Sequence, residues 1–173
     1  QPKLDGNRCI VVVNENGAVA YTRKGDVMPV QLEHILNNIV EKHVGSNTVI
    51  LDGELFSNEL SFNVLNGLIK REKATTEQIE DRKKIYYHLY DVMLDKDYEE
   101  RKEVINSYEN RYVKVVPTKE IIATDENVKN SLEYYLSEGH EGMMIRVPDK
   151  GYENKRSWQL IKVKIFEDKE FKL

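Results

Sequence analysis

Two segments of the chain place charged side chains at alternate positions, where they could act together on a charged group. In residues 158–166 a period of two sets Lys162 beside Lys164, and in residues 48–56 it sets Asp52 beside Glu54. Neighbouring lysines can stabilise the negative charge of a phosphoryl group. Each strand taken alone is better explained by a solvated outer face, so the alternation leaves the chemistry open.

A third group of charges lies at the start of the sequence. Residues 3–8 read Lys-Leu-Asp-Gly-Asn-Arg, so that a lysine, an acid and an arginine surround a glycine turn. A turn that only begins a strand does not require this set of side chains. The group therefore shifts the balance towards a functional site, although six residues alone could be a coincidence.

Five further motifs follow in order and at plausible separations. They are Thr-Arg-Lys-Gly at 22–25, Leu-Asp-Gly-Glu-Leu at 51–55, the aromatic stretch with Asp91 at 86–93, Glu-Gly-Met-Met-Ile-Arg at 141–146 and Leu-Ile-Lys-Val-Lys at 160–164. Together with residues 3–8, which resemble a KxDGxR signature, they make the sequence resemble the covalent nucleotidyltransferases. This superfamily contains DNA ligases, RNA ligases and mRNA capping enzymes. The resemblance spans nearly the whole chain.

The resemblance implies that Lys3 is the nucleophile. In the superfamily this lysine attacks the α-phosphate of a nucleotide, expels pyrophosphate and carries the nucleoside monophosphate as a phosphoramidate. By the same resemblance Lys162 and Lys164 contact the α-phosphate and act with Lys3 as catalytic residues. Glu141 is implied to help bind a divalent metal, and its hard oxygen donors suit Mg²⁺ or Mn²⁺.

The resemblance also assigns residues to the nucleoside. Arg8, Arg23 and Glu54 are expected near the ribose and phosphates. Tyr90 is expected to stack on adenine, with a core aromatic as the alternative reading, and Gln1 corresponds to the position that reads the adenine edge. Asp52 is expected to orient its neighbours, and Asp91 is expected to be structural.

The segment before the last motif mixes basic and aromatic residues, which suits contact with a phosphate backbone. Its members are Lys150, Tyr152, Lys155, Arg156, Ser157 and Trp158. A solvated loop explains the same composition equally well. The Tyr…Arg-Ser element resembles one that precedes the last motif in small ATP-dependent DNA ligases. This resemblance implies that Arg156 lies near the 5′-phosphate of a nick and that ATP and nicked duplex DNA are the substrates.

Other functions stay open at this point. The shared motifs also fit an RNA ligase or an mRNA capping guanylyltransferase. A nucleotide- or nucleic-acid-binding module without catalysis is a further alternative. The presence of Lys3 argues against it, because a module that only binds could lose the nucleophile at little cost.

Size and charge limit the other possibilities. The chain has 173 residues with 26 Lys and Arg against 30 Asp and Glu, a formal charge of -4, so any nucleic-acid contact must come from a local patch. No aliphatic run approaches the ~20 residues of a membrane helix.

We expect one adenylation domain over 1–173, truncated at both ends and without the family's C-terminal OB-fold domain. It is expected to be a monomer in the cytoplasm, or in the host cytoplasm if it is viral.

Hydrophobic periodicity predicts the elements that must position these residues. A β-hairpin is expected over residues 8–23 and further strands over 48–56, 85–93, 112–116, 142–147 and 158–166. Helices are expected over 31–43, from 62, from 75, over 98–108 and from 124. The helix from 62 has an apolar stripe of Phe62, Leu65, Leu68 and Ile69, and residues 75–78 have the spacing of a capping box. The order predicts an α+β fold of antiparallel sheets with flanking helices around a nucleotide cleft. A doubly wound parallel sheet is the weaker alternative.

Overall fold

Two β-sheets organise residues 1–165, the part of the chain that this computed structural model describes. The larger sheet contains β1 (Asn7–Asn14), β2 (Gly17–Thr22), β3 (Val49–Phe56), β4 (Tyr86–Val92) and β5 (Val113–Val115). Its strand order is β2-β1-β3-β4-β5, with antiparallel neighbours except for the parallel pair β4 and β5. The smaller sheet pairs β6 (Gly142–Arg146) with β7 (Leu160–Lys164) in antiparallel register.

The helices of the described residues lie between the strands in the sequence. They are α1 (Glu33–Lys42), α2 (Phe62–Lys70), α3 (Thr76–Arg82), α4 (Tyr98–Ser107) and α5 (Asp125–Ser137). Local chemistry sets their starts: Thr75 forms the predicted capping box with Gln78, and the Thr124 side chain accepts a hydrogen bond from the backbone of Asn127. In residues 1–165 no helix is both long and apolar enough to cross a membrane.

Alternate residues of the central strands bury one face of the larger sheet. Val11, Leu51, Leu55 and Leu89 pack with the apolar sides of α1 and α2, including Ile35, Ile39, Leu65 and Leu68. The opposite face carries the polar members of the same strands, among them Arg8, Glu54 and His88, which lie opposite one another in register. The core therefore fixes one face of the sheet and leaves the other for a cleft.

The predicted α+β class with antiparallel sheets and flanking helices is confirmed, and the doubly wound alternative is wrong. Boundaries differ by a few residues because strand and helix ends have no sharp sequence signal. The last strand ends at Lys164 instead of Phe166, and Phe166 lies outside the described residues. Phe62, predicted on the buried stripe of α2, is exposed because it is the first residue of that helix.

Gly53 of β3 lies against residues of β4 and gives a stability prediction. A Cβ atom there would lie 2.6 Å from the Tyr87 ring and 2.7 Å from the His88 carbonyl oxygen. The Tyr87 ring is fully buried and its hydroxyl donates to the Cys9 carbonyl at 3.0 Å, so it has no room to yield. We expect Gly53→Ala to lower the free energy of unfolding by about 1–3 kcal/mol in urea titrations.

Gly67 supplies the matched control for Gly53. It lies on the exposed side of α2, and a Cβ atom there would meet nothing within 4 Å. Gly67→Ala is therefore expected to raise the free energy of unfolding by about 0.5–1 kcal/mol, because alanine favours the helix. A Gly53→Ala protein as stable as the Gly67→Ala protein would contradict the packing argument.

Candidate active site

Lys3 lies in an extended segment, residues 1–3, that runs antiparallel to β6. Pro2 pairs with Met143, the Lys3 amide donates to the Gly142 carbonyl at 3.0 Å, and the Met144 amide donates to the Gln1 carbonyl at 2.9 Å. β6 is thus flanked by residues 1–3 on one side and by β7 on the other. Opposed residues of a sheet point to the same side, so Lys3 and Lys164 both flank Gly142.

Gly142 lets the two lysine-bearing segments approach each other. A Cβ atom at this position would lie 2.3 Å from the Val163 carbonyl oxygen and 3.0 Å from the Lys164 Cα. Any side chain would therefore push β7 away from β6. The glycine of the sequence motif keeps the space between Lys3 and Lys164 open.

Glu141 joins the two lysines immediately before β6 begins. Lys3 Nζ donates to one carboxylate oxygen, and Lys164 Nζ donates to the other at 3.1 Å. The hydrogen bond from Lys3, followed by the one from Lys164, lowers the pKa of Glu141. The site therefore holds an ionised carboxylate between two amines.

Arg8 and Asp52 form a bidentate ion pair across β1 and β3. Arg8 Nε lies 2.9 Å from Asp52 Oδ1, and Arg8 Nη2 lies 2.8 Å from Oδ2. The Tyr152 hydroxyl also donates to Oδ2, at 2.7 Å. Asp52 is nearly fully buried, so the solvated outer face considered for this strand is wrong here, and the carboxylate orients its neighbours as expected.

Glu54 and Tyr90 lie in the same electrostatic cluster. Burial first, then the Asp52 carboxylate, raises the pKa of Glu54 to about 7, while the charges of Lys3 and Arg8 oppose the rise. Burial first, then the Asp52 and Glu54 carboxylates, raises the pKa of Tyr90. Glu54 therefore changes its charge near neutral pH, and the Tyr90 phenol stays protonated there.

The raised pKa of Glu54 predicts a pH-dependent stability. Its folded-state pKa of about 7 exceeds the ordinary value of 4.5, so its contribution is complete below about pH 4.5 and is lost as pH rises through about 7. The Tm of Glu54→Gln minus the Tm of wild type is therefore expected to be roughly 2–4 °C higher at pH 8 than at pH 5. Calorimetry at both pH values measures this, with the exposed Glu120→Gln as control. An equal difference at the two pH values would sink the prediction.

A buried ionic network connects the two sheets beside this cluster. Asp91 of β4 accepts from Arg101 Nε of α4 at 2.7 Å and from Arg146 Nη1 of β6. The Arg146 guanidinium also lies 4.2 Å from the centre of the Tyr98 ring. The network fixes β6, and with it Glu141, relative to β4, which carries Tyr90.

Gln1 lies beside β6, and its side chain contacts α4 and a residue after β5. Its side chain is buried, and its amide nitrogen donates to the Tyr98 hydroxyl and to Thr118 Oγ1, both at 2.8 Å. These bonds hold the side chain in one orientation. Its expected part in reading adenine stays a prediction.

An open cleft of about 290 Å³ extends over the larger sheet from the Arg8 cluster. Arg8 and Arg23 contribute to its wall, together with Ile10, Met93 and Asn154. Arg23 itself is exposed just beyond β2. The structure thus brings the two arginines of the first two motifs to one cavity.

Residues 147–159, between β6 and β7, fall into an anchored and an exposed part. Tyr152 was expected at the surface with the other aromatic and basic residues, but its hydroxyl lies inside, on Asp52. Arg156 and Trp158 are exposed, Trp158 to 89%. Lys162 is exposed on β7 opposite Met144, on the same face of the strand as Lys164.

Sequence reasoning missed the network of Asp91, Arg101 and Arg146 and the inward position of Tyr152. An acid within the apolar strand β4 was the one available signal, since buried carboxylates require a partner. The partner itself could not be identified, because Arg146 is 55 positions away. In the described residues, no cluster of three or more His, Cys, Asp or Glu could by itself hold a metal ion.

Comparison with protein families finds one that matches nearly the whole chain. The model of the ATP dependent DNA ligase domain matches residues 1–164. A DNA ligase from Archaeoglobus fulgidus is 26% identical over 174 residues, which cover 94% of this chain and 31% of that protein. The chain therefore spans about a third of the length of this curated relative.

Solved structures share the fold. The ATP-dependent DNA ligase from bacteriophage T7, in complex with ATP, has a TM-score of 0.76 at 17% identity, and the match covers 95% of this chain and 60% of that one. The Chlorella virus DNA ligase-adenylate has a TM-score of 0.66 at 24% identity, over 96% of this chain and 61% of that one. At these identities the likeness establishes the fold alone.

Proposed function

The chain belongs to the ATP-dependent DNA ligase domain family, and from this premise we propose that it transfers AMP from ATP to its own Lys3 and then to the 5′-phosphate of a nick in duplex DNA. The observation that carries the proposal is the position of Lys3. Its amine lies beside Glu141 and Lys164, and its charge acts on Glu54 together with the charge of Arg8, which lines the cleft. A nucleophile, a cation and a carboxylate thus converge on one point.

The first step joins AMP to the chain. Lys3 Nζ, as the neutral amine, forms a bond to the α-phosphorus of ATP and loses a proton to solvent. The bond from that phosphorus to the bridging oxygen breaks, and pyrophosphate leaves with the electron pair. Before ATP binds, the Glu141 carboxylate lies between the amines of Lys3 and Lys164 and accepts a hydrogen bond from each. Lys164, with Lys162 from the same face of β7, then stabilises the negative charge that develops on the phosphoryl oxygens.

The two later steps use the same cations. A 5′-phosphate oxygen of the nick attacks the phosphorus of the lysyl-AMP and releases Lys3, and the 3′-hydroxyl then attacks the activated 5′-phosphate and releases AMP. Lys3 is a covalent carrier, so it has no bonding role in the last step. Arg156, exposed before β7, is suited to hold the 5′-phosphate of the nick.

The cleft supplies the nucleoside site. Arg8, held by Asp52, and Arg23 are suited to bind the phosphates and ribose, and Glu54 to bind a ribose hydroxyl. The Tyr90 ring is the surface proposed for adenine, and Gln1 the group proposed for its edge. The bonds from Gln1 to Tyr98 and Thr118 support a fixed, preorganised side chain.

A divalent cation, Mg²⁺ or Mn²⁺, fits Glu141. Mg²⁺ is commonly bound by one or two carboxylates together with substrate phosphates, so a single ionised carboxylate beside Lys3 is a suitable donor. When bound, such an ion neutralises phosphate charge. Glu141 is the residue that would hold it, once its carboxylate is released from Lys3.

The test of this function is transfer of labelled AMP to nicked substrates. We expect the chain, or the complete gene product that contains it, to transfer AMP from ATP to a nicked DNA duplex, and to do so much less with GTP or with a nicked RNA duplex. Arg156→Ala is expected to weaken transfer, with the exposed Arg71→Ala as control. Equal or better transfer to RNA would move the assignment to an RNA ligase, and GMP transfer would move it to a capping enzyme.

A further inference from the structure

We infer that Tyr152 is a positioning residue that holds Arg8 in the nucleotide cleft and ties residues 147–159, which carry Arg156, to the same point. The inference rests on the proposed function and adds to it a coupling between nucleotide binding and the DNA-facing segment. The sequence placed Tyr152 with the surface aromatics, whereas the structure places its hydroxyl on Asp52 and on Arg8, a residue that lines the cleft.

The Tyr152 hydroxyl completes a closed ring of three hydrogen-bonding groups. It donates to Asp52 Oδ2 at 2.7 Å and accepts from Arg8 Nη2 at 2.9 Å, while Arg8 Nη2 also donates to the same Oδ2 at 2.8 Å. Burial first, then the Asp52 carboxylate, raises the pKa of Tyr152. The hydroxyl therefore keeps its proton and can act as donor and acceptor at once.

Backbone contacts fix the part of the segment around Tyr152. The Tyr152 amide donates to the Leu94 carbonyl at 3.0 Å, and the Tyr98 amide donates to the Pro148 carbonyl at 2.9 Å. Arg101 Nη1 donates to the Lys150 carbonyl at 2.8 Å. Residues 148–152 are thus bound to the chain around α4, and the side chain of Tyr152 extends this attachment into the cleft.

Beyond Tyr152 the segment turns outward. Residues 153–156 are exposed, as is Trp158. Tyr152 is therefore the last anchored residue before the exposed part begins, and its position sets where that part leaves the surface. A nucleotide that binds Arg8 acts on the same ring of hydrogen bonds, so nucleotide binding and the position of the exposed part must influence each other by an equal free energy.

Trp158 makes this coupling measurable, because it is the only tryptophan of the chain. Its fluorescence reports on the exposed part of the segment without any added label. In wild type we expect a change in Trp158 emission or anisotropy when a non-hydrolysable ATP analogue binds. In Tyr152→Phe, which keeps the ring and removes the hydroxyl, this change is expected to be reduced to less than half.

The kinetic readout separates positioning from general stability. Removing a hydrogen bond to a charged group is expected to raise the KM for ATP in lysyl-AMP formation about tenfold. The effect on kcat is expected to be smaller, because the lost hydroxyl contacts Arg8 and Asp52 and not the nucleophile Lys3. Tyr134→Phe, on the exposed side of α5, is the matched control and should change neither quantity. In combination with Arg8→Lys, the loss caused by Tyr152→Phe should shrink, because both changes disturb the same ring.

The decisive comparison is between wild type, Tyr152→Phe and Tyr134→Phe at equal temperature, with all three shown to be folded by circular dichroism. A raised KM together with a reduced Trp158 response, in Tyr152→Phe alone, supports the inference. An unchanged KM and an unchanged Trp158 response in a Tyr152→Phe protein that still forms the adduct would overturn it and leave the proposed function intact. A wild-type chain and complete gene product that form no nucleotide adduct would overturn the proposed function and this inference with it.

Discussion

Replacing Lys3 with alanine is expected to abolish sealing of a nick when ATP is the only source of AMP. The amine is the sole bonding partner proposed for the α-phosphorus in the first step, and the neighbouring amines of Lys162 and Lys164 lie on a different strand from residues 1–3. The same variant is expected to join a nick that already carries AMP on its 5′-phosphate, because Lys3 forms no bond in that step. Gel assays of both substrates, made with the complete gene product, measure the difference.

Lys73→Ala is the control for this experiment, since Lys73 is exposed and lies between α2 and α3, away from Lys3 in the sequence. It should seal both substrates at the wild-type rate. Sealing from ATP by the Lys3→Ala protein would contradict the assignment of the nucleophile. Loss of both reactions would instead show that Lys3 is needed after AMP transfer, which the carrier role does not allow.

The second large effect is expected at Asp91. Both arginines of its network are almost fully buried, with side-chain exposures of 2% for Arg101 and 8% for Arg146. Asp91→Ala leaves these charges without their carboxylate, and breaking a buried ion pair in this way costs about 3–5 kcal/mol. Chemical denaturation is expected to show this loss of stability, and the adduct-forming rate should fall with it because β6 is no longer fixed to β4.

Asp81→Ala tests whether the loss of stability expected for Asp91→Ala results from the burial of its ion pairs or from the loss of any acidic residue. Asp81 forms an ion pair with Lys84 on the surface at 2.6 Å, and exposed pairs of this kind contribute little to stability. The free energy of unfolding of Asp81→Ala should stay close to that of wild type. Equal losses at Asp81 and Asp91 would contradict the structural role assigned to the network.

The order of elements was predictable because each carries a local signal. Alternation of apolar and polar residues in β1 and β3, and the 3.6-residue period of α1, depend only on neighbours in the sequence. The capping box at Thr75 is equally local. The family resemblance, predicted from six motifs, is confirmed by the match over residues 1–164.

The candidate site was predictable only as a set of residues. The motifs identify Lys3, Glu141 and Lys164, but their mutual distances depend on the pairing of residues 1–3 with β6, which no periodicity indicates. The bond between Tyr152 and Asp52 joins residues 100 positions apart. Composition assigned Tyr152 to the surface because its sequence neighbours are basic, and the hydroxyl's partners became visible only in the fold.

The apolar residues in and after β7 show that alternation does not predict burial. In the sequence Ile161, Val163 and Ile165 alternate with the two lysines, yet Ile161 and Ile165, the residue after β7, are exposed by 39% and 61%. Alternation fixes which residues share a face of the strand. It does not say whether another part of the molecule covers that face.

The intact mass of the chain and of the complete gene product after incubation with ATP and Mg²⁺, followed by peptide mapping, tests the role of Lys3 directly. We expect the mass to increase by one AMP group, located on the peptide that contains Lys3, with ATP and not with GTP. An adduct on another lysine would contradict the nucleophile, and a GMP adduct would contradict the nucleotide. The absence of any adduct in both proteins would contradict the proposal that AMP is transferred from ATP to Lys3.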